Sequence, residues 1–256
     1  MTLENARRTA LVTGGARRMG KAIVHDLAAH GWAVAIHCNR SESDAETIAG
    51  TIRSSGGRAA IVKADLNDPS ALKEIMPRTN RALGPVTLLV NNASVFLHDE
   101  FGSLDTGVWR RQFAVNLEAP VFLAQAFAEQ LPSGTSGNIV NLIDQRVWKL
   151  TPQMLSYTLT KSALWTATRT MAQALAPHIR VNGIGPGPTF PNPQDGETGM
   201  ADEGAGTLMG RTIDPAEIAA AVRFLVASPS LTGQMLAIDG GQHLAWQTPD
   251  IVDTKA

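Results

Sequence analysis

Tyr157 and Lys161 stand four residues apart in a segment, Met154 to Leu175, whose apolar spacing predicts a helix. Four residues advance a helix by one turn and about 40°, so the phenol and the ammonium share a face. A positive charge beside a phenol favours the phenolate. A tyrosine so placed can exchange a proton near neutral pH. Tyr157 is also the only tyrosine in the chain. By itself a Tyr-x-x-x-Lys pair, common by chance, fits a structural contact on a helix better. Its chemical meaning comes from the residues around it in the fold.

A second group is Thr13-Gly14-Gly15-Ala16-Arg17-Arg18-Met19-Gly20, between the apolar run Thr9–Val12 and an amphipathic segment, Met19 to His30. Glycine turns the backbone sharply and lets it approach a ligand. The helix beyond offers unpaired N–H groups and a positive dipole to a phosphate. Gly14, Arg17, Arg18, Met19 and Gly20 are therefore candidate contacts for a dinucleotide diphosphate. Arg18 stands where such a turn ordinarily carries its middle glycine. A third group, His37, Arg40 and Ser41, closes the next apolar run. An NAD site usually has a carboxylate there for the ribose hydroxyls. A guanidinium and a hydroxyl suit a 2′-phosphate instead, which predicts NADP(H) as cofactor.

The elements that must position these groups follow from the apolar pattern. Strands are predicted at Thr9–Val12, Ala33–His37, Ala59–Lys63, Thr87–Asn91, Asn138–Ile143, Ile179–Ile184 and Met235–Ile238. Helices are predicted between them, the longest at Thr106–Gln130 and Met154–Leu175. Apolar strands alternating with amphipathic helices predict an α/β fold: a Rossmann-like, doubly wound parallel sheet of about seven strands with helices on both faces. No linker divides the chain, so 1–256 is expected to be one domain, with its core over about 8–246 and a loose tail from Thr248 to Ala256. The stretch Gly185 to Gly210 is rich in Gly and Pro and reads as a long loop with short helical pieces, functional or disordered, and the glycines of Gly187 to Gly210 suggest a mobile lid. Ligands of such sheets collect at the carboxyl ends of the strands. That adds Asp65 and Leu66, Asn91 to Ser94, Asp144, Pro186 and Gly187 to the candidates.

Composition narrows the partners. The 22 basic and 23 acidic side chains nearly cancel, and no basic run exceeds two residues, so nucleic acid held by bulk charge is not expected. The single cysteine, Cys38, excludes an intrachain disulfide and a paired-cysteine zinc site, and no metal is expected. There is no signal-like N-terminal stretch and no apolar run of about 18 residues, so a cytoplasmic protein without a membrane span is expected.

Taken together, Thr13-Gly14-x-x-x-Arg18-x-Gly20, Asp65, Asn91-Asn92-Ala93, Asn116, Tyr157-x-x-x-Lys161, Asn182, Pro186-Gly187 and Asp239-Gly240-Gly241 resemble the short-chain dehydrogenase/reductase family, from about Arg8 to Trp246. The resemblance implies hydride transfer between NAD(P)H and a small substrate. It implies Tyr157 as acid, Lys161 lowering its pKa and holding the nicotinamide ribose, and Asn116 supporting a water-linked proton path. It places Asn91 along the adenosine ribose and Asp65 at the adenine edge. Two departures are informative: Asp144 replaces the family's usual serine thirteen residues before the tyrosine, and Arg18 replaces the glycine. With His37-x-x-Arg40-Ser41 and Asn91-Asn92-Ala93-Ser94-x-Phe96, they are similar to the pteridine reductase branch. That similarity implies Phe96 stacking on a pterin, Arg18 facing pterin and phosphates, Asp144 hydrogen-bonded to Tyr157, and Ser94 near cofactor or substrate. It also implies a homotetramer paired through the two long helices. The alternatives are a carbonyl reductase acting on a ketone or quinone with the same Tyr and Lys, and a non-catalytic NADP-binding sensor.

Overall fold

Strands that are apolar on both sides have to be covered on both faces, and that requirement shapes the chain. A computed structural model describes residues 8–191 and 196–246; the expected loose tail lies outside the described residues. The strands are β1 (Thr9–Val12), β2 (Ala33–Cys38), β3 (Ala59–Lys63), β4 (Leu88–Asn91), β5 (Gly137–Leu142), β6 (Ile179–Pro186) and β7 (Met235–Ile238). They form one parallel sheet in the order β3-β2-β1-β4-β5-β6-β7. Successive residues of β1 point to opposite faces. Ala10 and Val12 join Val34, Ile36, Ile23 and Val222 on one side, whereas Leu11 joins Leu89, Ile139 and Phe127 on the other. The first face is covered by α1 (Arg18–Ala29), α2 (Glu42–Ser54) and α8 (Pro215–Ala227). The second is covered by α3 (Pro69–Leu83), α5 (Ala119–Gln130) and α6 (Leu155–Leu175). Because β1 pairs with β2 on one side and β4 on the other, the chain reverses direction there and leaves a crevice at the strands' carboxyl ends.

Two predicted elements are resolved differently. The single helix expected over Thr106–Gln130 is α4 (Thr106–Phe113), a π turn (Ala114–Glu118) and α5. Pro120 lies four residues after Asn116 and has no N–H to give its carbonyl, so an α-helical ladder cannot run through this point. The Ala119 N–H reaches instead to the Ala114 carbonyl, one residue further back. Within the expected Gly185–Gly210 loop lies α7 (Gly196–Ala205), a ten-residue helix with only Gly204 buried. Its glycines and weak apolar periodicity hide it from pattern reading. Among the described residues, no helix is long and apolar enough to cross a membrane.

Candidate active site

The glycine turn after β1 is held from three sides. Gly14 has φ +60°, and its N–H donates to His37 Nδ1 at 3.1 Å. The Gly15 N–H donates to the His37 carbonyl at 2.9 Å. The Asn92 amide donates to the Thr13 and Gly14 carbonyls at 2.8 and 3.2 Å. Gly20 packs against the turn so closely that a Cβ there would collide with the Gly14 carbonyl. Arg18 has the backbone a glycine would take, φ +52°, at a cost of about 1–2 kcal/mol for a side-chain-bearing residue. Its guanidinium donates to the Phe190 and Pro191 carbonyls at 3.3 and 3.1 Å and lies 5.3 Å from the Phe190 ring centroid. Burial pulls its pKa down. The Arg17 side chain pairs with Asp44. No side chain caps the N-terminus of α1, and its first turn carries no acid, so its leading N–H groups still need acceptors.

Four expected contacts are placed differently. His37 is 2% exposed, with Nδ1 accepting from Gly14 and Nε2 facing the Ala64 carbonyl at 3.2 Å. It supports the turn from beneath and does not reach its open side. Burial pushes its pKa down to about 4, so the ring is neutral. Asn91 is buried under the sheet and donates to Asn141 Oδ1 at 2.9 Å, away from the crevice. Its position at a strand end is right, but the side chain points to the face covered by α5. Leu66 is core, packed with Leu72 and Ile75 on the α3 face. Asn116 is fully buried and its amide is saturated: Oδ1 accepts from the Val95 N–H and Ser94 Oγ at 2.8 and 3.2 Å, and Nδ2 donates to the Val95 carbonyl and Thr160 Oγ1 at 2.8 and 3.3 Å. The water-linked path expected of it has no free side-chain atom to use. By contrast, Arg40 and Asp65 are exposed at the ends of adjacent strands, with Ser41 half-buried beside them. Arg40 makes no hydrogen bond or ion pair with the described residues, and the Ser41 hydroxyl does not cap α2.

The chemical end of the crevice is built by β4, β5 and α6. Asp144 lies two residues beyond β5 and accepts the Arg146 N–H on Oδ1 at 2.8 Å. The Tyr157 hydroxyl donates to Asp144 Oδ2 at 2.8 Å. The Phe96 ring meets Tyr157 edge to face, with centroids 4.6 Å apart and planes at 87°. Lys161 Nζ donates to the Leu142 carbonyl at 2.8 Å and lies 5.6 Å from the Tyr157 ring centroid. Burial, and then the Asp144 charge, hold Tyr157 well above the ordinary tyrosine range, against the smaller pull of Arg146 and Ser94. Burial also raises Asp144 and lowers Lys161 to about 8. The expected lowering of the Tyr157 pKa by Lys161 is corrected: burial and the Asp144 carboxylate instead push it up.

These groups surround a cleft of about 510 Å³ that brings Gly14, Arg17, Arg18, Met19 and Gly20 together with Ala93, Ser94 and Phe96. Asp144, Tyr157, Pro186 and Gly187 complete the set of sequence-predicted residues there, while Lys161 and Asn116 sit beneath it. Pattern reading passed over Gln145, Arg146 and Phe190, which also line the cleft. Gln145 and Arg146 directly follow Asp144 at a strand end, a usable signal. The Gln145 Oε1 is buried without a partner among the described residues, and the Arg146 guanidinium lies 5.8 Å from the Phe96 ring centroid. Asp99 carries no local sequence signal of its role. It is 3% exposed and caps α6 from a distance, taking the Ser156 N–H at 3.1 Å on Oδ1. The residue before α6, Met154, has left-handed backbone and provides no side-chain cap of its own.

The family model for short chain dehydrogenase matches residues 8–197. The chain belongs to the short chain dehydrogenase family. Among solved structures, this dehydrogenase-family chain is similar to FolM alternative dihydrofolate reductase 1 from Brucella canis, crystallised with NADP. The two share 52% identity over 96% of this chain and 98% of that one, with a TM-score of 0.93. It is 31% identical to pteridine reductase 1 of Leishmania tarentolae, over 95% of this chain and 99% of the relative. It is equally 31% identical to an L-rhamnose 1-dehydrogenase (NAD(P)(+)) of a Sphingomonas species, over 94% of this chain and 98% of the relative. The family is thus an oxidoreductase family in which relatives of similar identity act on different substrates.

Proposed function

We propose that this protein is an NADPH-dependent reductase of a pterin of the dihydropteridine or dihydrofolate type. The observation that carries the reading is the 2.8 Å hydrogen bond from Tyr157 to Asp144, with the Phe96 ring against the same tyrosine. The cofactor fits the donors present: uncapped N–H groups at the start of α1, and the guanidinium of Arg40, unpaired among the described residues, beside Ser41 for a 2′-phosphate. Asp65 would hold the adenine end and Lys161 the nicotinamide ribose. When bound, NADPH supplies the hydride. Reducing a C=N bond needs that hydride on carbon and a proton on nitrogen, and leaves no alkoxide to stabilise. Tyr157, kept neutral, donates the proton. Asp144, raised above the usual carboxylate range, takes up a proton and returns it to the tyrosine across the same hydrogen bond. Phe96 covers one face of the heterocycle, and Arg18 and Ser94 meet its edge. NADP complexes and dihydrofolate or pteridine reductase names among the relatives support this reading.

We further read the chain as one cytoplasmic reductase domain that self-associates as a tetramer. Exposed Phe122 on α5 and Leu159 on α6, at 56% and 43%, support pairing of the long helices. Sedimentation as a stable monomer would reject the tetramer. The substrate is tested by following NADPH oxidation with a panel of dihydropterins, dihydrofolate, ketones and quinones, and NADP+ reduction with L-rhamnose-type sugars. Turnover confined to the pterins supports the proposal. Turnover with carbonyl compounds and none with any pterin overturns it and favours the carbonyl reductase alternative, which the rhamnose dehydrogenase relative motivates.

A further inference from the structure

The geometry points to Gln112 as a positioning residue that keeps Phe96 aimed into the cleft. Phe96 lies in the unpaired stretch 92–99 after β4. In extended chain, residues i and i+2 turn their main-chain groups the same way, and side chains alternate. Here both neighbours of Phe96 are fixed by side-chain amides that imitate a partner strand. Asn116 takes the Val95 N–H and gives to the Val95 carbonyl, each at 2.8 Å. Gln112 takes the Leu97 N–H at 3.4 Å and gives to the Leu97 carbonyl at 3.2 Å. The two spacings match, since four helical residues rise about 6 Å and two strand residues span about 6.6 Å. Held at 95 and 97, the chain leaves residue 96 one direction, toward Tyr157.

Gln112 is fully buried, and a third hydrogen bond fixes its amide, Nε2 to Ser156 Oγ at 2.6 Å. Ser156 precedes Tyr157 and is itself held by Asp99. One amide therefore ties the segment bearing the stacking ring to the turn of α6 bearing the acid, and sets the Phe96–Tyr157 contact at 4.6 Å. The substrate side of this inference rests on the reading that Phe96 contacts the substrate; the positional side does not.

Because Tyr157 is the only tyrosine, 3-fluorotyrosine incorporated into the full chain gives one ¹⁹F resonance, at the atom group Phe96 touches. Phe96→Leu supplies the reference shift for a lost ring contact. Gln112→Leu is expected to move the resonance toward that reference and to raise KM for the dihydropterin about tenfold, with kcat and the NADPH Kd held within about twofold. If Gln112→Leu does not fold, Ser156→Ala, which removes only the orienting hydrogen bond, is expected to give a smaller shift of the same sign. An unmoved resonance in a folded variant overturns the inference. A moved resonance in a protein that turns over no pterin supports the positioning role and counts against the pterin reading alone.

Discussion

The Tyr157 hydroxyl donates to Asp144 Oδ2 at 2.8 Å, whereas Lys161, one helical turn on, donates to the Leu142 carbonyl. The tyrosine's proton is therefore governed by an acid. Tyr157→Phe is expected to lower kcat by about 10²–10⁴-fold, the usual range for a positioned proton donor, with NADPH affinity unchanged. Turnover of the Phe variant within tenfold of the parent would remove the tyrosine from the chemistry.

Burial first, and then Asp144, push the phenol's titration up. A carboxylate disfavours a second negative charge beside it, so phenolate absorbance of the single tyrosine is expected to rise only well above pH 10. In Asp144→Ala the rise moves to lower pH. An onset unchanged or higher in the variant would show that burial alone holds the phenol neutral.

Lys161 makes the site costly in stability. Its pKa falls to about 8 from 10.5 because burial penalises the ammonium. Between those values the unfolded chain binds more protons than the folded one, so stability rises with pH across that window. Below it both states are charged and the folded state bears the full penalty. Lys161→Met is expected to raise stability at pH 7 by roughly 1–3 kcal/mol, to flatten the rise between pH 8 and 10.5, and to abolish turnover. Thermal unfolding against pH checks this; equal slopes in both proteins would refute it.

Arg40 and His37 separate two ways of holding a cofactor. Arg40→Ala is expected to weaken NADPH by about 1.5–3 kcal/mol and leave NADH nearly unaffected, as for one lost charged hydrogen bond. His37→Ala frees the Gly14 N–H and slackens the turn under the diphosphate, so NADPH and NADH should weaken together, by about 1–3 kcal/mol. With a pKa near 4, the His37 ring adds no pH dependence between 6 and 8. Titrations of cofactor fluorescence decide both; a His37 variant that loses NADPH alone would return the residue to the 2′-phosphate.

The sheet was readable because each strand is a short apolar run bounded by glycine, proline or polar residues, and burial on both faces demands that pattern. The cleft was readable where a residue's place depends on its own strand end, as with Asp144, Phe96 and the Gly14–Gly20 turn. Periodicity assigns a residue to an element end but not to one face of the sheet. His37 and Asn91 were therefore placed at the correct ends with the wrong orientation. Asp99, Gln112 and the path of Asn116 depend on partners as far as 57 residues away, and no local signal carries that information. Helix α7 escaped for the opposite reason: it has too little buried surface to leave an apolar stripe.

The π turn at Ala114–Glu118 inserts one extra residue between two parts of a helix with different duties. Upstream, Gln112 faces the 92–99 segment; downstream, Leu123 and Phe127 face the sheet. In an uninterrupted helix, rotating one set by a residue rotates the other by about 100°. The extra residue offsets the two sets by a fixed angle and works as a phase adjuster. The fixed offset lets Gln112 meet the 92–99 segment while Leu123 and Phe127 stay in register with the core, so one helix serves two surfaces whose spacings do not share a single helical phase.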